Sequence, residues 1–499
     1  MLVMVEFGAD PARSFLKRKR GDRLSAAKSI WITALLFLLP FCLFGSALAQ
    51  SQETPPNIVL IVGDDHGWFY SGFMGDEIVQ TPTLDQLAEE GTVFTHGYST
   101  ASVCRPALRT LLSGMHPMVW DRRIEEIKQQ SGLNIGPYRE IQFVDTLPRR
   151  LSEAGYTSFE AGKYWEGTFD RAGFDAGMAD TFLGGLSHDG DDFGRPSTQE
   201  LWDFLDGDDE PPFFLMLAPM IPHTPMDAGP EFTDLYQEQG LVNGAIIYYA
   251  NITRLDTLIE AILGQLADRG LDENTLIIYV SDNGLEQDPY QEHPPWGYIF
   301  GGDRGKISMY ELGFRSPIIF HWPSRVPAGQ RFPDLVSFED IYSTVLDYGG
   351  VAPGTGDLGS TLRKRIEGQT QTPVRNRLFG MMDRVRTRPE EYVEGSGLAG
   401  LTTDEWAGFA RTKNWRFVHF IDRDERELYR IEEDPLEQTN LIEAYPEIAQ
   451  QLEADLADWM ERGYLVPEPS ANTLAMVALL SLCWLARCPG ASHRPQSSP

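Results

Sequence analysis

Four oxygen-bearing side chains stand in two adjacent pairs, Asp64-Asp65 and Asp282-Asn283, each one residue beyond the end of a short apolar run. Three carboxylates and one amide oxygen, with no cysteine or histidine pair among them, are the donor set of a hard cation, Ca2+ or Mg2+, rather than of zinc. A third apolar run is followed by Pro222-His223-Thr224-Pro225, which brings an imidazole to the same kind of position. The remaining reactive group is a thiol. Cys104 precedes Arg105-Pro106-Ala107-Leu108-Arg109-Thr110-Leu111-Leu112-Ser113-Gly114. Pro106 suits a first helical turn, Leu108, Leu111 and Leu112 form an apolar face at i, i+3 and i+4, and Gly114 stops the helix. The spacing predicts Cys104 just before a helix N-terminus, where free N–H groups and the dipole favour an anion or a thiolate.

The runs Asn57–Val62, Phe213–Leu217 and Thr275–Val280 are apolar on both faces. They are read as central strands of a parallel or mixed sheet covered by helices. Segments Pro82 to Glu90, Thr146 to Ala154 and Asn251 to Leu266 supply the cover. In such α/β sheets the site lies outside the carboxyl ends of the strands. Asp64, Asp65, Asp282, Asn283 and His223 are therefore expected to converge there.

The 499 residues suffice for one large domain or two, and 11% aromatic and 23% charged residues are normal for a globular chain. A formal charge of −31 excludes nucleic acid and anionic membrane surfaces as general partners. An anionic substrate then needs a local cluster of Lys, Arg, His or metal. Residues 1–49 carry a basic run, an apolar stretch from Ile30 to Phe44 and the small-residue site Ala47-Leu48-Ala49, the pattern of a secretory signal. Near the other end, Pro467-Glu468-Pro469 precedes an apolar run from Leu474 to Ala486 and then Arg487. With Cys42, Cys483 and Cys488 in these terminal segments, Cys104 is the single cysteine of the body. Asn251-Ile252-Thr253 fits a glycosylation sequon.

Taken together, the motifs resemble type I sulfatases. They are Pro56-Asn57 through Asp64-Asp65, Thr81-Pro82-Thr83-Leu84-Asp85, the Cys104 segment, Gly155-Tyr156-Thr157 with Gly162-Lys163, Pro222-His223-Thr224-Pro225, Ser281-Asp282-Asn283-Gly284, and Lys306 before Tyr310-Glu311. Glu427-Leu428-Tyr429 with Glu433-Asp434-Pro435 resembles the family's C-terminal subdomain. The resemblance implies an alkaline-phosphatase-like α/β domain with a central mixed, mostly parallel sheet over 54–350, and a small α+β subdomain over 351–465. It further implies that Cys104 is oxidised to formylglycine by dedicated machinery, and that one divalent cation, Ca2+ before Mg2+, is held by Asp64, Asp65, Asp282, Asn283 and the modified Cys104. Lys163 and Lys306 would hold the sulfate, His223 would protonate the leaving oxygen, and Arg109 would stand beside the nucleophile. Segment 466–499 resembles the PEP-CTERM sorting signal, with exosortase as its processing partner and an extracellular, periplasmic or surface-attached product. The substrate class is a sulfated small molecule or carbohydrate.

Two positions depart from the family pattern. The arginine of Cys-x-Pro-x-Arg falls one place late, with Leu108 in its position and Arg109 after it. On a helix one step turns a side chain by ~100°, and Arg105 is the substitute. Trp165 stands where the family has a histidine that helps expel sulfate; His188 and His116 are the candidate replacements. Two other activity classes share these residues: a phosphoester or phosphonate hydrolase of the same superfamily, and a non-catalytic anion-binding protein. Substrate recognition is expected in loops Trp120 to Pro137 and Ser187 to Pro196.

Overall fold

A computed structural model of the chain describes residues 55–179, 198–207, 212–285, 304–354, 358–382 and 406–463. The segments 1–49 and 466–499, the loop Ser187 to Pro196 and His188 lie outside the described residues.

The apolar runs form strands as expected, each a residue longer at its polar end. The large sheet comprises β1 (Asn57–Gly63), β2 (Thr92–Tyr98), β3 (Thr157–Gly162), β4 (Ala176–Gly177), β5 (Phe213–Ala218), β6 (Thr275–Ser281), β7 (Arg315–His321) and β8 (Gln330–Ser337). Their spatial order is β4-β3-β5-β1-β6-β7-β2-β8. β1 lies at the centre, parallel to β5 and β6, with Ile58 level with both Phe214 and Leu276. Only β7 runs against its neighbours β6 and β2. The alternation of side chains along β1 divides the core in two. Ile58, Leu60 and Val62 pack with the helices Cys104–Ser113, Pro117–Ser131 and Phe338–Tyr348. Val59 and Ile61 face the opposite layer, built by the helices Pro82–Glu90 and Asn243–Asp268.

A second, antiparallel sheet has the order β12-β11-β10-β9 and comprises β9 (Arg377–Met382), β10 (Ala407–Thr412), β11 (Trp415–Phe420) and β12 (Glu425–Arg430). The helix Pro446–Gly463 covers one face through Ala449, Leu452 and Leu456. The other face meets the body of the large sheet through Phe409 and Val418 against Tyr98, Met309 and Phe314. The α/β architecture with a small α+β unit is thus the one expected.

At this junction lies a buried ionic knot. The Glu311 carboxylate accepts from Tyr98 Oη at 2.9 Å, from Arg411 Nε at 3.0 Å and from Arg416 Nη1 at 3.1 Å, all fully buried. Burial alone would raise the Glu311 carboxyl, but Arg411, Arg416 and Arg315 together bring it from 4.5 down to about 2. A depressed carboxyl stabilises the fold above its unfolded value, and that contribution is lost as pH falls from about 4.5 towards 2. Glu311→Ala strands buried guanidinium charge, so it is expected to destabilise the fold by about 3–5 kcal/mol. Thermal unfolding at neutral pH checks this; an unchanged midpoint would mean that the knot is not what joins the sheets.

Two local expectations are corrected. Trp120 to Pro137 is not a loop: most of it belongs to the helix Pro117–Ser131, which buries Val119, Trp120, Ile124 and Ile127. Asn251 sits mid-helix at 1% exposure, its Nδ2 donating to the Ile247 carbonyl at 2.9 Å, so the folded chain offers no sequon there. Among the described residues no helix is long and apolar enough to cross a membrane.

Candidate active site

The neighbouring strands β1 and β6 are in register, Gly63 opposite Ser281, so the residues that follow them leave the sheet side by side. Asp282 N donates to the Gly63 carbonyl at 2.9 Å. In return Asp282 Oδ1 accepts from the backbone N–H of Asp65 at 3.0 Å and of Asn283 at 2.7 Å. Asn283 Nδ2 donates to Asp65 Oδ1. Asp65 takes a left-handed backbone, φ 63°, which aspartate tolerates better than most residues. Its carbonyl accepts from Tyr248 Oη at 3.0 Å, and that same hydroxyl receives Gly67 N–H at 2.9 Å. The buried His66 ring bridges Tyr279 Oη and the Tyr70 carbonyl at 2.6 Å each. His66, Tyr248 and Tyr279 hold the Asp-Asp turn, and the sequence reading had overlooked them. His66 was legible as the polar residue next to the pair; the tyrosines, on a helix and a strand, carry no such sign.

His223 arrives from β5. Asp64 N donates to the Ile221 carbonyl at 3.1 Å, which ties the β5 exit to the β1 exit. His223 Nε2 stands 3.7 Å from Asp65 Oδ2, while Nδ1 lies 2.6 Å from the Thr224 carbonyl. A carbonyl only accepts, so Nδ1 carries the proton of the neutral ring and Nε2 is the atom that gains or gives one. Ligating atoms of Asp64, Asp65 and His223 lie within 4.8 Å of one another.

Both lysines reach this cluster. Lys163 Nζ donates to both Asp64 oxygens at 2.6 and 2.7 Å, and Lys306 Nζ to Asp65 Oδ2 at 2.8 Å. Lys163 follows Gly162, whose φ of 103° and contact with the Ala218 carbonyl leave no room for a Cβ. Burial pushes the Asp64 carboxyl up, yet Lys163, His223 and Lys306 together hold it at about 2. Burial lowers the Lys163 ammonium, but the Asp64 carboxylate beside it more than restores it. Burial and the Asp64 charge drive the Asp282 carboxyl well above its ordinary value.

Cys104 is the first residue of the helix Cys104–Ser113 rather than the residue before it. Its charged surroundings are Lys163, Lys306, Asp282 and Asp64, so it belongs to the same cluster. Burial raises its thiol despite the two lysines. As a cysteine it is therefore held protonated, against the thiolate expected from the helix end.

The displaced arginine turns away. Leu108 faces the core at 5% exposure, and Arg109 points to the adjoining face of the helix. There Glu166 accepts from Arg109 Nε at 2.8 Å and from Arg105 Nε at 2.7 Å, while Arg109 Nη2 also donates to Glu140 at 2.9 Å. Both arginines are thus anchored on Glu166. Trp165 lies beside the cluster, with Lys163 Nζ 5.4 Å from its ring centroid. His116 is buried as a helix cap: its Nδ1 accepts from Met118 N at 3.4 Å and its ring meets Trp459 edge-on. Burial lowers it to about 3, so it remains neutral and structural.

The donor set fits a hard cation. Asp282 Oδ2 and Asn283 Oδ1 are buried without a hydrogen-bond partner, a costly arrangement unless a cation takes those lone pairs. They come from the same two residues whose other atoms fix the Asp65 turn, so the ligand oxygens are oriented by the scaffold.

Residues 56–351 match the Sulfatase family, and residues 302–462 match the family described as N-sulphoglucosamine sulphohydrolase, C-terminal. The N-acetylgalactosamine-6-sulfatase of Canis lupus familiaris is 28% identical over 438 residues, 78% of each chain. An N-acetylgalactosamine-6-O-sulfatase of Bacteroides thetaiotaomicron is 23% identical over 501 aligned residues, 80% of this chain and 91% of that one. The crystal structure of Ps i-CgsB in complex with k-i-k-neocarrahexaose shares the fold at a TM-score of 0.64 and 22% identity, covering 87% of this chain and 100% of that one. With these matches and a cluster of carboxylates, lysines and one histidine at the carboxyl edge of the sheet, the chain belongs to the sulfatase family of the alkaline-phosphatase-like superfamily and is a sulfuric ester hydrolase.

Proposed function

We propose that the chain is an exported enzyme that hydrolyses sulfate esters of saccharides, using formylglycine made from Cys104 and one divalent cation, Ca2+ before Mg2+. The observation that carries this reading is the meeting of Cys104, two lysines and the unpartnered oxygens of Asp282 and Asn283 at one buried point. Sulfated saccharides enter through the relatives' names, N-acetylgalactosamine-6-sulfatase above all. Export rests on the N-terminal signal pattern and on the Pro467-Glu468-Pro469 segment with the apolar run that follows it.

Asp64, Asp65, Asp282 and Asn283 would hold the cation, which when bound supplies charge stabilisation to the attacking and sulfate oxygens. The hydrated aldehyde at position 104 would supply the attacking hydroxyl. Lys163 and Lys306 carry fixed positive charge where the sulfate must sit; an ammonium has three donors, enough to serve a carboxylate and a sulfate oxygen together. Their burial, 2% and 4% exposed, keeps those charges in a poorly screened setting. His223, protonated on Nε2 and facing Asp65, gives its proton to the departing alcohol oxygen as the ester S–O bond breaks. Trp165 can donate a hydrogen bond but cannot take a proton, so it does not replace a base.

The test compares leaving groups. Wild-type protein is expected to cleave both an aryl sulfate and N-acetylgalactosamine 6-sulfate, with little activity on the aryl phosphate. His223→Ala is expected to slow the sugar ester by about 10^2–10^4-fold. The aryl ester, whose phenolate leaves without help, should lose far less. Equal losses would remove His223 as proton donor, and a clear preference for phosphate would overturn the sulfatase reading.

A further inference from the structure

The turn that carries Lys306 is strained and is held from three sides. Ile307 takes a left-handed backbone, φ 69°. Among the described residues the other non-glycine positions with positive φ are Asp65, Asp424 and Glu437. Ile307 is the β-branched one, and for such a side chain this conformation is an outlier. Strain of this kind persists only where the surroundings over-determine it, and three contacts do so here.

The first is with Ser102, two residues before Cys104. Its carbonyl accepts the Ile307 N–H at 2.8 Å, and its Oγ donates to the Ser308 carbonyl at 2.7 Å. Two bonds of opposite direction to neighbouring residues fix both the position and the rotation of the turn. Met382 Sδ, 3.0 Å from the same Oγ, is the weaker acceptor for its single proton. The second is with Arg416, fully buried on β11, whose Nε and Nη2 donate to the Met309 carbonyl at 3.2 and 2.6 Å. The third is with Gly313, where a Cβ would stand 2.5 Å from the Gly305 carbonyl and 3.0 Å from the Ser102 Cβ. In addition, the Lys306 N–H donates to the carbonyl of Leu285, two residues beyond Asn283, at 2.8 Å. The backbone around Lys306 is thus tied both to the segment that bears Cys104 and to the one that bears Asp282 and Asn283. Its ammonium reaches Asp65 Oδ2 at 2.8 Å.

We propose that Ser102 is a positioning residue for sulfate-ester hydrolysis: through the strained turn at Ile307 it sets Lys306 at a fixed distance from residue 104, so that ammonium and nucleophile meet the same sulfate group. It acts through Lys306 rather than on the reacting atoms. A relaxed turn would rotate the peptide that presents its N–H to Ser102, and Lys306 would swing with it; this is why the strain is kept. The proposal rests on the sulfatase reading for turnover, whereas binding of inorganic sulfate is measured apart from it.

The experiment measures kcat/KM on an aryl sulfate and the calorimetric Kd for inorganic sulfate. Wild type, Ser102→Ala, Lys306→Met and the double variant are compared, all expressed with the modifying machinery. Ser102→Ala is expected to lower kcat/KM by about 10–10^2-fold, the scale of a misplacement of about 1 Å at a catalytic group. Sulfate binding should weaken by about tenfold, the scale of one charge-assisted hydrogen bond. In the Lys306→Met background the same substitution should cost no more than about twofold in either quantity, because the group it positions is gone. A merely structural role would cost the same in both backgrounds, and that result overturns the proposal, as does wild-type activity in folded Ser102→Ala. If Ser102→Ala does not fold, Ile307→Gly takes its place in the cycle. Glycine adopts the left-handed turn without strain, so the unfolding temperature should not fall, while kcat/KM should drop about tenfold with the same dependence on Lys306. Full activity in that variant, or an equal loss in both backgrounds, likewise overturns the proposal. If the wild type binds sulfate but hydrolyses no sulfate ester, the sulfatase reading fails, and the Kd cycle decides whether Ser102 positions Lys306.

Discussion

Cys104→Ala is expected to lower kcat/KM on sulfate esters by about 10^4–10^6-fold, the scale on which loss of a nucleophile slows a hydrolase. The fold should hardly notice. Cys104 is buried at 8% exposure at the head of its helix, and the substitution removes one sulfur atom from a site whose packing is carried by Ala107, Leu108, Leu111 and Leu112. Burial also holds the thiol protonated, so an unmodified Cys104 is a poor nucleophile in its own right. Protein made with the modifying machinery should therefore be active, and should yield a peptide across 104 that reacts with hydrazide reagents. Protein made without it should resemble Cys104→Ala. Full activity in protein whose peptide retains the thiol would break the mechanism and require another nucleophile in the cluster.

What the sequence made legible follows from where the relevant forces act. β1, β5 and β6 are buried on both faces, so their continuous apolar runs and polar ends were visible directly, and with them Asp64, Asp65, Asp282, Asn283 and His223. Cys104 was visible as the single cysteine of the body at a helix start, whereas Lys163 and Lys306 lie on no such run and only the resemblance singled them out. The helix Pro117–Ser131 was missed because its exposed face is heavily charged, although Val119, Trp120, Ile124 and Ile127 keep a helical spacing. Tertiary ion pairs are the least legible layer. Nothing near Arg109 in the chain points to Glu166, 57 positions on, or explains why Leu108 takes the inward-facing place. The same holds for Glu311, whose partners Arg411 and Arg416 are about a hundred residues away. Asn251 fails for the opposite reason: a three-residue pattern was legible, but the helix around it buries the side chain.

Asp282→Asn is expected to abolish bound divalent metal and activity together, with a loss in kcat/KM of at least about 10^3-fold, since a catalytic cation supplies several kcal/mol of charge stabilisation. Asparagine is the informative replacement because of what Oδ1 does. That oxygen accepts the backbone N–H of Asp65 and of Asn283, and an amide oxygen in the same place still accepts both. Asp282→Ala would leave two buried donors unsatisfied and disturb the turn that aims Asp65, mixing a structural loss with the chemical one. The asparagine variant instead changes Oδ2, the buried atom without a protein partner, from a carboxylate oxygen to an amide nitrogen that cannot bind a cation. Metal content by elemental analysis, unfolding temperature and kcat/KM are measured on the same preparations. Loss of metal and activity with a near-native unfolding temperature would place the cation between the ends of β1 and β6. Retained metal and turnover in the folded variant would show that Asp282 is a turn residue and that the cation is held by Asp64, Asp65 and His223 instead.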